Sequence, residues 1–311
     1  MIGEVLNSMW FKNLHVYRLP EHFSLSADEL AEKLEERRFQ KCARQADKTV
    51  GWVSPIHRNK EYLVHAAGGC VLFCMRKEQK IIPSSAIKEA LEEKVSSIEG
   101  ELGRKVYRKE KQTMKEDLVS SMLPNAFARS SHINAYFDTL RKLLVINASS
   151  SAQVDEFYEL LTESIGSFGA MQLMPEENPS EVMTRWLKNG LPDGWLLSGD
   201  YQLIDHQEDK TAKFKDYDSE NPYVESLLED GYSFKRLGIS FKERLSASIQ
   251  DDLQVKSIKF NEELLKDNDE LKGEDELVKF DADFALMTAA LAEFITALIE
   301  QFKCSDINSL E

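Results

Sequence analysis

Cysteine is scarce in this chain of 311 residues, and its four thiols are widely scattered: Cys42, Cys70, Cys74 and Cys304. Small domains held together by disulfides are far denser in cysteine, so a disulfide framework is excluded. Cys70 and Cys74 could form a zinc site with His57 and His65. However, the cysteine spacing falls in the apolar run V-L-F-C-M, which is more typical of a buried strand. We therefore expect reduced thiols and no metal centre.

The sequence also lacks a secretory signal and an uninterrupted apolar span. Its first residues have no basic start followed by an apolar run. The longest apolar region, residues 285–299, is interrupted by Thr288, Glu293 and Thr296. We therefore expect a cytoplasmic protein with no membrane partner.

The common catalytic signatures are missing as well. There is no Walker A motif, no G-x-G-x-x-G after a strand, no G-x-S-x-G and no H-E-x-x-H, and the six histidines occur singly. The strongest candidate is F-D-A-D-F, in which Asp281 and Asp283 could hold a divalent cation. Acids just ahead of an apolar helical pattern more often stabilise the helix N-terminus, and magnesium needs more oxygen ligands than two carboxylates. We expect no catalytic residue and no cofactor.

Acidic charge dominates the composition, yet one stretch is strongly basic. The 54 acids and 39 bases leave a net charge of -15. Between Gly103 and Lys115 the only acid is Glu110, against six bases: Arg104, Lys105, Arg108, Lys109, Lys111 and Lys115. Such a run is either a solvated helix face or a polyanion site, because phosphate contacts depend on local potential rather than on net charge.

The hydrophobic periodicity predicts an α+β chain. Helices are indicated at residues 26–39 (with Ser26 and Glu29 as a capping box), 87–102, 114–122, 154–165 and 284–302. Strands are indicated at residues 11–19, 71–75, 143–147 and 237–245. The basic stretch then lies between two helices, and residues 174–200 form a connection. In the last strand region Leu237, Ile239 and Phe241 face one side, while a basic face carries Arg236, Lys242 and Arg244.

Five stretches in register resemble one family. They are M-W-F-K-N-L-H-V-Y-R-L from Met9, G-W-V-S-P from Gly51, K-I-I-P-S-S-A-I-K from Lys80, L-P-N-A-F from Leu123 and K-F-D-A-D-F-A-L-M-T from Lys279. In this order they resemble the RdgC family of recombination-associated proteins. The similarity is collinear from Met9 onward, which leaves both Met1 and Met9 as candidates for the true start.

The resemblance implies a non-enzymatic protein that binds double-stranded DNA largely without regard to sequence. It implies an elongated chain of several subdomains, with antiparallel sheets and long amphipathic helices, in a ring-shaped homodimer. Such a ring encircles DNA at the nucleoid and limits access of the RecA recombinase. Single-stranded DNA remains a further candidate ligand, and direct contact with RecA is left open.

The resemblance also suggests site residues and a division of the chain. The DNA-binding candidates are Arg76, Lys77, Lys88, Lys94, Arg104, Lys105, Arg108, Lys109, Lys111, Lys115 and Arg129. The candidates for the dimer interface are Phe127, Phe214 and Lys215. The expected parts are an N-terminal α/β part (9–75), a helical tip with the basic stretch (76–135), a central α/β part (136–175) and a β-rich base ending in a long helix (176–311).

Three departures from the family pattern qualify this interpretation. The chain has Asn125 where the family usually has a base, Ala289 and Ala290 where it has Gly-Glu, and no glycine-rich tail. These departures weaken the expectation of one DNA contact and of the family's detail in the last helix. The alternative function is an acidic scaffold that docks on partner proteins and touches no nucleic acid.

Overall fold

The computed structural model describes residues 9–56, 61–205, 207–215, 222–266 and 276–304. Within them the chain is α+β and contains two antiparallel sheets, one of seven strands and one of five. The predicted fold class is therefore confirmed at this level. The four-part division remains a prediction, and two of its boundaries fall inside continuous strands.

The first sheet is built from the N-terminal half of the chain. Its strands are β1 (His15–Arg18), β2 (Lys48–Val53), β3 (Val64–Ala67), β4 (Cys70–Ile81), β5 (Phe127–Asp138), β6 (Leu143–Ile146) and β7 (Met171–Gln172). Their order is β2-β4-β5-β6-β1-β7, and β3 pairs with β4 beside β2. Cys70 and Cys74 lie in β4 and are buried, so the strand prediction for this apolar run is confirmed.

Two helices cover one face of the first sheet. Helix α1 (Ala27–Glu35) begins at the predicted capping box, in which Ser26 and Glu29 each accept a hydrogen bond from the other's backbone N–H. Between β4 and β5 come α2 (Ser84–Leu102) and α3 (Arg108–Met122), which are described below. Helix α4 (Ser151–Ile165) ends at Gly166, as the sequence indicated. Leu30 and Leu34 of α1 share a core with Phe157 of α4.

The second sheet follows α5 (Pro179–Asn189). Its strands are β8 (Trp195–Asp205), β9 (Lys210–Phe214), β10 (Ser233–Phe241), β11 (Leu245–Gln250) and β12 (Val255–Phe260), in the order β12-β11-β10-β8-β9. Helix α6 (Pro222–Glu229) lies between β9 and β10, and α7 (Glu262–Lys266) follows β12. A bulge in β8 brings Ser198 over Gly238, where an added Cβ would lie 2.3 Å from the Ser198 hydroxyl oxygen. A side chain there would overpack the bulge.

The last helix, α8 (Glu276–Gln301), joins the two sheets in one core. Its buried side chains include all those that the sequence pattern predicted: Phe284, Met287, Leu291, Ile295 and Leu298, with Phe302 just after it. Phe294 is buried as well and lies outside that pattern. These side chains pack with residues from both sheets and with Trp186 of α5. Among the described helices α8 is long and apolar enough to cross a membrane by composition alone, but half of its most apolar window is buried inside the molecule.

Three sequence predictions are wrong in this part of the chain. Residues 174–200 are not merely a connection, because they contain α5 and the start of β8. Asp281 and Asp283 do not precede the last helix but lie inside α8. The predicted basic strand face is correct for Arg236 but wrong for Lys242 and Arg244, because these two lie in the turn after β10 and both pair with Glu293.

Candidate nucleic-acid interface

A long two-stranded ribbon carries the candidate residues away from the core. Strands β4 and β5 pair over their full length, from Cys70 opposite Asp138 to Ile81 opposite Phe127. Met75 and Ile133 are opposite each other and are the last buried apolar pair. Beyond them the ribbon continues into α2 and α3, which contact each other and contain no buried residue. We call residues 76–132 the arm.

The turn between α2 and α3 is ordered by a small set of polar contacts. Gly103 ends α2 with φ 64°, a conformation that glycine adopts without strain. The Glu99 side chain accepts a hydrogen bond from the Val106 N–H at 2.8 Å, and Val106 is buried. At the start of α3, the Glu110 carboxylate accepts from the Tyr107 N–H at 2.9 Å. Helix α3 therefore begins at Arg108, so part of the basic stretch is helical rather than between helices.

Arg104 belongs to this cap. Its two terminal nitrogens donate to the two Glu110 oxygens at 3.0 and 2.9 Å, and its guanidinium lies 5.7 Å from the centre of the Tyr107 ring. These hydrogen bonds from Arg104, with that from the Tyr107 backbone, lower the pKa of Glu110 to about 2. The positive charge of Arg104 is therefore largely neutralised by its own turn.

The other bases of the stretch are exposed and unpaired. Within the described residues no carboxylate lies at ion-pair distance from Lys105, Arg108, Lys109, Lys111 or Lys115. Arg108, Lys111 and Lys115 are separated by three and four residues, so they form one stripe along α3. We call these three residues the α3 stripe.

The remaining candidate bases do not all join this stripe. Lys88 is 3.8 Å from Glu92 on its own helix, and Lys94 lies six residues further on, on a different side of α2. Arg76 donates to Glu78 and Ser130 and lies over the Phe39 ring at 4.4 Å.

Lys77 is also engaged in an internal ion pair. It contacts Glu156 of α4 at 2.8 Å, and Lys48 contacts the same carboxylate. Burial alone would raise the pKa of Glu156, but the hydrogen bonds from the two lysines outweigh it and the pKa is lowered. Arg76 and Lys77 therefore hold the base of the arm, whereas Arg129 is exposed on β5 opposite Gln79.

An apolar pair lies where the ribbon ends. Phe127 is 87% exposed and its register partner Ile81 is 50% exposed. The sequence pointed to Phe127 but not to Ile81. The pairing of β4 with β5 brings them together, and the only local signal was the run K-I-I-P. Large exposed apolar side chains side by side are typical of a contact surface.

The two other interface candidates lie at an edge of the second sheet. Phe214 ends β9, the edge strand, and is half-buried against the core. Lys215 follows it and is exposed. The ribbon end and the β9 edge are thus separate surfaces, formed by different sheets.

The described residues give little support to a metal or catalytic centre. No group of three histidine, cysteine or acidic side chains comes together among them, and His57 lies outside them. Burial raises the pKa of both Cys70 and Cys74 to about 12, so neither thiol is a ready nucleophile. Asp281 contacts His65 Nε2 at 3.0 Å, which links α8 to β3.

The chain is similar along most of its length to one family. The family model described as "Putative exonuclease, RdgC" matches residues 9–305. Proteins named Recombination-associated protein RdgC are 37% identical over 292 residues in Aeromonas hydrophila, 34% over 293 in Tolumonas auensis and 35% over 294 in Proteus mirabilis. These alignments cover 93 to 94% of the chain and 96 to 97% of each relative.

Proposed function

This chain belongs to the RdgC family of recombination-associated proteins, and we propose that it binds double-stranded DNA through phosphate contacts, with little dependence on sequence. By occupying the duplex at the nucleoid it limits the access of RecA. The protein works as a homodimer that encloses the DNA, and it needs no cofactor and no membrane.

The α3 stripe is the observation that carries this proposal. Its bases are exposed and unpaired within the described residues, whereas four of the eight other candidate bases are held by nearby carboxylates: Arg76, Lys77, Lys88 and Arg104. An exposed cation that is not neutralised by its neighbours can displace counterions from a phosphate backbone. Because salt screens charge within about 8 Å, acids elsewhere on the molecule do not cancel this local potential.

Two surfaces support the dimer in this proposal. The ribbon end offers Phe127 and Ile81, an exposed apolar pair that a second copy could bury. Phe214 and Lys215 lie at β9, the edge strand of the second sheet within the described residues, and edge strands are common sites of contact with another chain. Two separate contacts per subunit are the number that a closed two-subunit ring requires, because one contact would leave an open dimer.

The test is a salt titration of duplex binding by a variant that lacks the α3 stripe. The replacements Arg108→Ala, Lys111→Ala and Lys115→Ala should weaken binding to unrelated sequences about equally, because phosphates carry no base information. The slope of log K against log salt should fall by about 0.9 for each phosphate that the variant no longer binds.

The matched control removes three exposed lysines that lie outside the proposed contact surfaces: Lys33 of α1, Lys41 in the loop before β2 and Lys188 of α5. It changes net charge by the same amount and should leave the slope unchanged. If the salt slope fell equally in both variants, the effect would come from net charge and not from the position of the α3 stripe. If the stripe variant bound duplex DNA with unchanged affinity and slope, the bases of α3 would only solvate the helix surface and would not contact DNA.

Two other functions predict different results. The family description names an exonuclease, so end-labelled DNA incubated with the protein and magnesium or manganese would be shortened. An acidic scaffold would show no DNA binding even near 50 mM salt, where phosphate contacts are strongest. Under our proposal the DNA is bound and stays full length.

A further inference from the structure

The second sheet has two unlike faces. Its inner face supplies Leu203, Leu237 and Ile249 to the core, where α5 and α8 also bury their large side chains. The register assigns the opposite face mainly to polar residues, which we call the open face: Leu196, Ser198, Asp200, Gln202, Ile204, Thr211, Lys213, Ser233, Arg236, Gly238, Ser240, Ser246, Ser248, Gln250, Lys256 and Lys259. Ile204, Gly238 and Ser248 of this face are buried, and its other residues are partly or fully exposed. Leu196 is 59% exposed, and Lys213 and Lys259 are exposed at opposite edges, so solvent reaches this face.

The charge of the open face is opposite to that of the chain. Four bases lie on it, namely Lys213, Arg236, Lys256 and Lys259. Among the described residues one acid joins them, Asp200, whose side chain lies beside Gly238. The whole sequence has more acids than bases, at 54 against 39. A basic excess on this face therefore attracts anions locally, although the chain is acidic overall.

The spacing of these bases suits a duplex. Neighbouring strands lie about 4.8 Å apart, so the five strands from β9 to β12 span about 19 Å. Lys213 and Lys259 at the two edges are therefore farther apart than the DNA major groove is wide, about 12 Å, so the face would contact phosphates beyond a single groove.

The uncharged residues of the face add hydrogen-bond donors. Ser240 and Ser246 face each other across β10 and β11, and Gln202 and Gln250 flank Arg236. Arg236 Nε and Gln250 Nε2 are buried and have no acceptor in the described part of the chain, so the donors that a ligand can reach are the serine hydroxyls and the lysine ammonium groups. A ligand rich in acceptor oxygens, such as a phosphate backbone, matches a surface with this excess of donors.

The open face contains no aromatic side chain in its paired residues. Proteins that bind single strands usually stack bases on aromatic rings, and each such base contributes about 1–3 kcal/mol. This face offers phosphate contacts without stacking platforms. It therefore favours a duplex, whose bases are already stacked on each other.

We propose that the open face of the second sheet is a second DNA-contacting surface, specific for the phosphate backbone of the duplex and separate from the α3 stripe. The inference rests on the proposed function, since it concerns the same ligand. It assigns DNA contacts to Lys213, Arg236, Lys256 and Lys259.

The experiment compares salt titrations of four proteins on a duplex and on a single strand of thymidines. They are the unmodified chain, the α3 stripe variant, the variant with Lys213→Ala and Lys259→Ala, and a variant that adds Lys256→Ala. The first sheet variant changes only exposed side chains, and thermal melting checks that each variant is folded. The control with Lys33→Ala and Lys188→Ala removes as much charge as the first sheet variant, from elements outside both surfaces.

We expect the duplex slope of the sheet variants to fall by about 0.9 for each phosphate that they no longer bind, independently of the fall in the stripe variant. The single-strand slope should change less. If the slope fell in the stripe variant but stayed unchanged in correctly folded sheet variants, this inference would be overturned. The proposed function would still hold. An equal fall on single strands would overturn the inferred preference for the duplex. No binding by the unmodified chain would overturn both proposals.

Discussion

At the level of single residues, bases of the same type have different roles because their neighbours differ. Arg104 and Arg108 are four positions apart and both are exposed, but Arg104 donates twice to Glu110. Arg108 has no carboxylate partner in the described residues. We infer that Arg104 orders the turn and that Arg108 is available to bind a DNA phosphate.

Replacing the two arginines in turn tests this distinction. Arg104→Ala should leave the salt slope of DNA binding unchanged, whereas Arg108→Ala should lower it by up to about 0.9. Titrations of duplex binding in parallel measure both. An equal fall in the two variants would contradict the assigned roles.

The same pair has a defined dependence on pH. Because the hydrogen bonds from Arg104 and from the Tyr107 N–H lower the pKa of Glu110 from 4.5 to about 2, these contacts contribute their full stabilisation above about pH 4.5 and lose it as the pH falls toward 2. The turn is thus intact at any pH suited to DNA binding. Carboxyl NMR titration should show that the pKa of Glu110 rises in Arg104→Ala, and a pKa that stays near 2 would assign the shift to the Tyr107 N–H instead.

At the level of elements, the burial of side chains in the β4–β5 ribbon decreases along its length. Its first half is buried between α4 and α8, while its second half is exposed and ends in Phe127 and Ile81. The same strands therefore serve as core and as arm, and the position of a residue along them decides whether it stabilises the fold or a contact.

Phe127→Ala and Phe137→Ala should show this difference within one strand. Phe127 is exposed, so its replacement should change the free energy of unfolding by less than about 0.5 kcal/mol but weaken the dimer by about 2 kcal/mol or more. Phe137 is buried, and its replacement should cost about 3–5 kcal/mol of stability.

Sedimentation and denaturant unfolding measure the two quantities. Ile81→Ala should act in the same direction as Phe127→Ala because the two residues are opposite each other. A large decrease in stability with an unchanged dimer fraction would make Phe127 a core residue.

At the level of the whole molecule, the proposed ring has a topological consequence. Non-specific phosphate contacts give dissociation constants of about 10⁻⁴ to 10⁻⁶ M at physiological salt, so they hold DNA weakly. A closed ring must open or slide off an end before it can leave. Opening breaks a subunit contact, whereas sliding does not.

We therefore expect complexes on closed circular DNA to survive a high-salt challenge longer than complexes on linear DNA of the same sequence. Phe127→Ala should remove the difference by loosening one subunit interface. Lifetimes are measured by the protein remaining on DNA after the salt jump. Equal lifetimes for the unmodified protein would refute encirclement, and DNA binding would still be judged by the salt titration.

The local elements of this fold could be predicted from the sequence. Helices follow from spacing and capping within a few residues, so the capping box at Ser26, the start of α2 after Pro83 and the buried stripe of α8 were all predicted correctly. The exposed basic run of α3 and the exposed Phe127 were also visible, because a charge cluster and a residue just past a proline are local signals. The region 174–200 was misread because its proline and glycine residues hid the short helix α5.

What the sequence by itself determined was therefore the position of the main helices, the α+β class and the location of the positive charge. Only the tertiary structure decided which charges remain unpaired and which residues share a face. Lys77 is engaged by Glu156, far along the chain, and Ile81 meets Phe127 only because β4 and β5 pair in one register. The physical reason is range: helix formation depends on neighbours within one turn, whereas ion pairs and strand pairing depend on residues that only folding brings together.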